Sequence, residues 1–435
     1  MDFKSIREQF AITNKTLKRN GKEIPLIYLD HGASTHPPKQ VLDRFISFMQ
    51  SEYANVHRGE HELSKISSQL FEDTPKHIAK LFGITNLDNS GKQVVFGSNT
   101  TSVLDIALHQ FRHMPGKILT TVMEHHSNFL PSQRYSDVEF IEVDDHGMIQ
   151  YDQLEDRIQK QDIKVVSISG GSNVTGYMPD VHRIARLAHE NNAKVIVDAA
   201  QRTAHSKLDI KPLDHPEHLD YVAIGGHKMY APFGSSALIG TTEMMDASPP
   251  YIPGGGTVSF VSTQESTFLS GPDRHQPGTP NIGGTIAMGE AAQFLMQIGM
   301  DKIRKHELEL LSYTLNRLEE FEEFSLLGNI PIKEKLGVMS FNIGNHSHHK
   351  ISHLLDDISG IATRNGCFCA QPYVQRLLDI SDNNMKNYRE QYEAGKLDYL
   401  PGAVRATIGV YNTKEEMEIF VNTIETICKE NLIKA

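Results

Sequence analysis

Three cysteines in 435 residues are too few for a disulfide framework, and two of them stand a single residue apart in "GCFCAQP". Such usage suits a reducing compartment and turns attention to thiol reactivity or metal binding. No polybasic block occurs, and the formal net charge of −11 argues against a general nucleic-acid binder, which would carry a basic face or stripe. Long apolar runs are missing as well. The opening segment "MDFKSIREQFAITNKTLKRNGKE" lacks the apolar centre of a secretory signal, and nothing approaches the roughly 18 apolar residues of a membrane span. A cytoplasmic location with no membrane partner is the expectation. There is no internal repeat and no low-complexity tract, and "GNHSHHK" and "SDNNMKNYREQYEAGK" read as polar surface loops.

The length is enough for a large core and points to two domains. In the middle of the chain, "KVVSISG" reads as a buried strand, "VHRIARLAHENN" carries apolar residues at helical spacing, and "AKVIVDAAQ" and "DYVAIGG" are again short β-rich runs. This α/β alternation predicts a mostly parallel sheet covered by helices, with a ligand beyond the carboxyl ends of its strands. Asp198, Gln201 and Lys228 fall there. After about residue 295 the pattern becomes a long charged helix, "DKIRKHELELLSYTLNRLEEFEEF", then strand-like "GVMSFNIG" and a closing helix near "TKEEMEIFVNTIETICKE". The expected organisation is an N-terminal segment, 1–25, packing with the small domain, a large domain over 26–295, and a smaller α+β domain over 296–435.

Asp198 directly follows the buried run "KVIV", where an unpaired carboxylate is costly and needs a cationic or hydrogen-bonding partner. Taken alone it reads equally as a helix cap or a surface ion-pair partner. Lys228, in "GGHKMYAPFG", follows another buried run. Most lysines are solvated surface charges, but one desolvated at a strand end loses its proton easily, and a neutral amine attacks carbonyls. In "FGSNTTSVLDIALHQF" small and hydroxyl residues precede a helical run, a place for phosphate or simply a Ser/Thr cap. An anion site, a strand-end carboxylate and a later strand-end amine together are what pyridoxal 5'-phosphate requires.

The chain resembles the class V aminotransferase-like enzymes of fold type I, and most closely their cysteine desulfurase and selenocysteine lyase branch. The matching stretches run in order from "YLDHGAS" through "NVHRGEHELS", "MEHHSN", "SNVTG", "VDAAQ", "GGHKMYAPFG", "PGTPNIGG" and "RNGCFCAQP" to "VRATIGVYNT", nearly the whole chain. The resemblance implies a large domain with a mostly parallel, seven-stranded sheet and a smaller α+β domain carrying the cysteine loop. It also implies that Lys228 holds the cofactor as a Schiff base and later serves as acid and base, and that Asp198 keeps the pyridine nitrogen protonated. Gln201 and Asn173 match partners of the phenolic oxygen, and His125 matches the histidine stacked on the ring, while His126 reads as an ordinary loop histidine. Thr100, Thr101 and His227 match the phosphate cradle. Thr279 resembles a threonine that reaches the phosphate of a partner subunit, which implies a homodimer. One departure stands out: many relatives have serine where this chain has Gly225.

Arg405 matches the arginine that binds the substrate carboxylate, with Arg364 as a further substrate or thiolate contact. Cys369 aligns with the cysteine whose thiolate takes sulfur from the substrate, implying a persulfide, release of alanine from L-cysteine, and a sulfur-acceptor protein; such a thiol must be accessible and mobile. Read without the resemblance, Cys367 and Cys369 are equally inert packing residues, the reading kept for Cys428. The "CFC" pair resembles the loop of sulfurase domains serving molybdenum cofactor, which makes Cys367 a candidate relay or guard for the persulfide. The segment "VQRLLDISDNNMKNYREQYEAGKLDYLPGA" is longer than in common desulfurases and is a candidate acceptor dock. The scaffold also supports selenocysteine lyase, C–S lyase, aminotransferase and epimerase chemistry, or a cofactor-binding scaffold without catalysis. No metal is expected, because a lone C-x-C pair without compelling histidine spacing makes a poor zinc site.

Overall fold

The computed structural model describes residues 2–160 and 162–429. Its main sheet has seven strands: β1 Lys92–Gly97, β2 Lys117–Thr121, β3 Val138–Ile141, β4 Ile163–Ser169, β5 Lys194–Asp198, β6 Tyr221–Gly225 and β7 Ser236–Thr241. They lie in the order β1-β7-β6-β5-β4-β2-β3. Strands β6, β5, β4, β2 and β3 pair in parallel, while β7 runs antiparallel between β1 and β6. The α/β architecture with a mostly parallel seven-stranded sheet is the one expected.

Every residue of β4, β6 and β7 is buried. Successive side chains point to opposite faces, and both faces are covered. Val165, Ile196, Tyr221 and Ala223 enter one apolar core, and Val166, Val195, Val222 and Ile224 enter the other. These strands therefore read as continuous apolar runs rather than as alternation. Because β1, β2, β4, β5 and β6 point one way, Gly97, Thr121, Ser169, Asp198 and Gly225 all end at one edge of the sheet. The loops that follow those residues supply the site.

A second sheet is antiparallel, built from Phe324–Leu326, Val338–Ile343, Ala403–Thr407 and Arg364–Gly366 in that spatial order. Its core includes Met339, Phe341, Val404 and Ala406, with Leu355 and Phe420 from helices His348–Ser359 and Lys414–Lys429, and takes in Ile27 and Leu29 from the start of the chain. Cys428 packs against this core, and burial pushes its thiol up to about 11. Helices Ile282–Ile298 and Met300–Leu318 meet at Gly299, whose φ of 95° allows the abrupt change of direction.

Two segments differ from the sequence reading. The helix expected to run through "LEEFEEF" ends at Leu318. Carrying it on would place Glu319, Glu320, Glu322 and Glu323 at the negative end of the helix dipole, and Phe324 instead opens a strand paired with Ile343. The stretch "SDNNMKNYREQYEAGK", read as a loop, contains helix Asp382–Glu393. None of its residues is buried, so it has no apolar period to read. It rests on local devices: Ser381 caps it, Arg389 bonds Glu393 at 2.8 Å, and Gln391 donates to Asn387 at 3.0 Å. Replacing residues 382–396 by a short Gly-Ser linker should therefore leave the thermal midpoint within about 3 °C of the parent. A fall of about 10 °C or more in a melting experiment would show that the helix contributes to the core.

Candidate active site

A cavity of about 310 Å³ opens at the carboxyl edge of the main sheet, between it and the second sheet. Lys228, Asp198, Gln201, His227, Asn173, His125, Thr100, Thr101, Arg405, Arg364 and Cys369 all line it. Thr279 is exposed and stands outside this cavity of its own chain.

The floor comes from β5 and β6. Asp198, the last residue of β5, accepts one hydrogen bond, from the Ala200 N–H at 3.0 Å. Desolvation raises its pKa, with the Ala200 bond and the Lys228 charge opposing. Lys228 ends the single helical turn Gly226–Lys228 that follows β6. The turn is fixed through the His227 carbonyl, which accepts from the Thr35 N–H at 2.8 Å and from the Ser34 and Thr35 hydroxyls at 3.1 Å. Burial, reinforced by the nearby Arg405 guanidinium, lowers the Lys228 pKa to about 8. The amine is neutral through much of the mildly alkaline range.

Polar groups without protein partners face this space. The Gln201 side-chain oxygen and His227 Nδ1 are both buried and unbonded, although the Gln201 amide nitrogen donates to Gly32 O at 2.6 Å. At the rim, helix Thr100–Gln110 begins with a capping box between Asn99 and Ser102, and Thr101 Oγ1 lies 2.7 Å from Ser127 Oγ. A helix N-terminus with hydroxyls around it is an anion site. A Cβ at Gly225 would come within 2.6 Å of Thr100 Oγ1, so the threonine hydroxyl fills the space that a serine there would need. His125 Nδ1 accepts from the Ser127 N–H at 3.0 Å, and burial, with Lys228 nearby, lowers its pKa to about 3. The ring is neutral with hydrogen on Nε2.

The opposite wall comes from the second sheet. Arg405 is 3% exposed; its Nη1 donates to Asn173 O at 2.9 Å and its guanidinium lies over the Phe368 ring at 5.0 Å. Burial lowers its pKa to about 10, against the pull of Asp30. The register that sets Arg364 opposite Arg405 lets Asp30 serve both, 2.7 Å from Arg364 and 3.6 Å from Arg405. Arg405 Nε is left without a partner.

Cys369 is exposed and lines both the cavity and a groove beside it. Its carbonyl accepts from the His126 N–H at 2.7 Å, the Phe368 carbonyl accepts from the Asn173 amide at 2.6 Å, and His126 Nε2 accepts from the Gln371 N–H at 3.3 Å. His126 thus anchors the cysteine loop. Cys367 is half-buried against the main core and is not among the cavity's lining residues. Sequence reasoning missed Asp30, Ser127 and Glu124, although each lies within a quoted stretch. Glu124 is fully buried; desolvation raises its pKa to about 7, and Thr121 and Asn128 bond it at 2.7 and 2.8 Å. Removing the carboxylate in Asp30→Ala should leave the buried Arg405 charge uncompensated and cost about 3 kcal/mol in urea denaturation. A loss under about 0.5 kcal/mol would show that Asp30 does not hold it.

The chain is similar to known proteins along nearly its whole length. A family model described as aminotransferase class-V matches residues 27–420. The cysteine desulfurase of Enterobacter sp. is 32% identical over 432 residues, covering 97% of each chain, and that of Cronobacter sakazakii is 30% identical over 426 residues, covering 96% of each. Among solved structures, the apo cysteine desulfurase of Thermococcus onnurineus superposes with a TM-score of 0.85 at 30% identity over 98% of both chains. An Escherichia coli cysteine desulfurase in its S-sulfonic acid form gives 0.80 at 25% identity, again over 98% of both. A family match across most of the chain, relatives aligned over nearly their full length, and strand-end residues gathered into one cavity lead to one conclusion: the chain belongs to the aminotransferase class-V family.

Proposed function

We propose that this protein is a pyridoxal-phosphate-dependent cysteine desulfurase, taking sulfur from L-cysteine onto Cys369 and releasing alanine. The observation that carries the reading is a thiol on an exposed loop at the mouth of a cavity whose floor holds a desolvated lysine and a buried carboxylate. When bound, pyridoxal phosphate supplies the electron sink that loosens bonds at the substrate's α- and β-carbons.

The chain's own residues take the remaining roles. The N-terminus of helix Thr100–Gln110, with Thr100, Thr101 and His227, holds the phosphate; the Thr100 hydroxyl takes over the contact that Gly225 cannot make. Asp198, with a single backbone donor in the protein, would accept the pyridine N–H, and Gln201 and Asn173 would serve the phenolic oxygen. His125, neutral and held as a helix cap, would pack on the ring. Lys228 Nζ anchors the cofactor and then carries the proton taken from the substrate's α-carbon. Arg405 binds the substrate carboxylate as a fork, with Arg364 at the mouth. Cys369 Sγ, as the thiolate, attacks the substrate sulfur. The S–S bond forms as the Cβ–S bond breaks, and the electron pair stays with the β-carbon, which takes up a proton to give alanine. The persulfide remains on an exposed loop within reach of an acceptor protein.

Thr279 lies outside its own cavity because it serves the cavity of a second copy in a homodimer. Exposed Phe233, Ile252, Phe260 and Val261 supply apolar surface for that contact. Among the described residues no helix is long and apolar enough to cross a membrane. Three unpaired cysteines fit the reducing cytoplasm.

Cys369→Ala should lower alanine production from L-cysteine plus reductant by about 100-fold or more while leaving the visible absorption of bound cofactor in place. Turnover indifferent to Cys369 would assign the scaffold another reaction. A Lys228 pKa lowered to about 8 makes the free amine dominant above that pH. Reconstitution of the cofactor-free protein with pyridoxal phosphate, followed by absorbance, should accelerate about fivefold from pH 7 to pH 8 and level off above about pH 9. A rate still climbing steeply at pH 10 would indicate an ordinary solvated lysine.

A further inference from the structure

The amino edge of the main sheet, away from the cavity, holds a cluster that the sulfur chemistry does not use. Asp220 immediately precedes β6, and its side chain is fully buried. His189, from the last turn of helix Val181–Glu190, and His218, from the loop before β6, close over it with rings stacked 4.1 Å apart. His189 Nε2 lies 2.8 Å from Asp220 Oδ2, and His218 Nε2 lies 3.4 Å from Asp220 Oδ1.

The other nitrogen of each ring fixes the chemistry. His189 Nδ1 is 2.8 Å from Pro216 O, and His218 Nδ1 is 2.7 Å from His215 O. A carbonyl oxygen only accepts, so each Nδ1 carries hydrogen, and a neutral ring then presents a lone pair at Nε2. Each Nε2 therefore faces the carboxylate either as an imidazolium N–H or as a lone pair, and a divalent cation can take the place of those protons between the same three groups. Imidazole Nδ1–H bonded to a main-chain carbonyl is also the outer-shell arrangement that orients metal-binding histidines. The donor atoms all lie within 4.8 Å of one another.

We propose that His189 Nε2, His218 Nε2 and the Asp220 carboxylate bind a divalent transition-metal ion of the Zn²⁺ class. Two imidazoles and a carboxylate suit such an ion, with water in the fourth position. The ion would tie the end of helix Val181–Glu190 to the loop that feeds β6. Its competitor is Lys194, whose ammonium lies 3.1 Å from Asp220 Oδ1 on a side chain 38% exposed, free to swing into solvent. Asp220 Oδ2 also accepts from the Val195 N–H at 2.9 Å, and the buried Lys92 ammonium contacts the Asp220 carbonyl oxygen rather than its carboxylate.

The test uses the full-length holoenzyme carrying Cys367→Ser and Cys369→Ser, so that the thiol loop takes no metal. After chelator treatment and dialysis against Zn²⁺, it should retain one equivalent, with a raised thermal midpoint. His189→Gln combined with His218→Gln should lose both effects, and Lys194→Met should bind about tenfold more tightly because a competing charge is gone. No retained Zn²⁺, or equal retention by the double histidine variant, would overturn the site. Should that variant fail to fold, Lys194→Met decides, and an unchanged Kd would overturn it.

Discussion

At the cavity the two halves of the molecule are joined through one buried guanidinium. Arg405 belongs to the second sheet, yet it donates to Asn173 O in the loop after β4, faces Asp30 from the start of the chain, and lies over Phe368 of the cysteine loop. A buried cation is expensive unless each lobe of it meets a partner. Its partners here come from segments distant in sequence. The relative placement of the two sheets, the position of Asn173 and the path of the cysteine loop are therefore coupled, because displacing any one strips a partner from the same charge. Asn173 extends the coupling by giving its carbonyl to Arg405 and its amide to Phe368 O.

Electrostatically, the cavity is a place where charge is suppressed. Burial lowers the pKa values of Lys228, His125 and His227 and raises those of Asp198 and of the fully buried Glu124 next to His125, behind the cavity wall. All five shifts favour the neutral form, as desolvation requires. Arg405 is the exception, because a guanidinium keeps its charge even when its pKa falls to about 10. A fixed cation on one wall and adjustable groups on the floor suit a substrate whose carboxylate must be held while protons move elsewhere.

Much of this was legible from sequence wherever a signal was local. Continuous apolar runs ended in Asp198 and before Lys228, and strand direction alone placed both at one edge. The Asn99–Ser102 cap was visible as small and hydroxyl residues before a helical run. Asp30 was not legible in that way. Its role rests on the register setting Arg364 opposite Arg405, a pairing between strands separated by the whole insertion. Helix Asp382–Glu393 escaped for another reason: a helix with no buried face leaves no period, and only its Ser381 cap and charge pairs betray it. The cluster around Asp220 escaped because its meaning lies in the Nδ1 contacts to Pro216 and His215 carbonyls, and no residue pattern encodes a tautomer.

The cysteine loop shows what such coupling does for an exposed thiol. Phe368 and Cys369 have consecutive positive φ values of 54° and 55°, a left-handed conformation costing about 1–2 kcal/mol per non-glycine residue. Free in solution, the segment would relax toward extended backbone. Three hydrogen bonds hold it: His126 N–H to Cys369 O at 2.7 Å, Asn173 amide to Phe368 O at 2.6 Å, and Ala370 N–H to Cys367 O at 2.9 Å. Two of them are made by residues bordering the cavity or its neighbouring groove, so the local cost of the turn is set against contacts that depend on the active-site walls. A loop held this way keeps Cys369 at the mouth while those walls are in place. Once the contacts to Asn173 and His126 loosen, only the Ala370–Cys367 bond is left to oppose the strain of two left-handed residues, and the thiol is free to move outward. The strain held in check at the cavity mouth therefore favours an outward position of the thiol as soon as the walls release it.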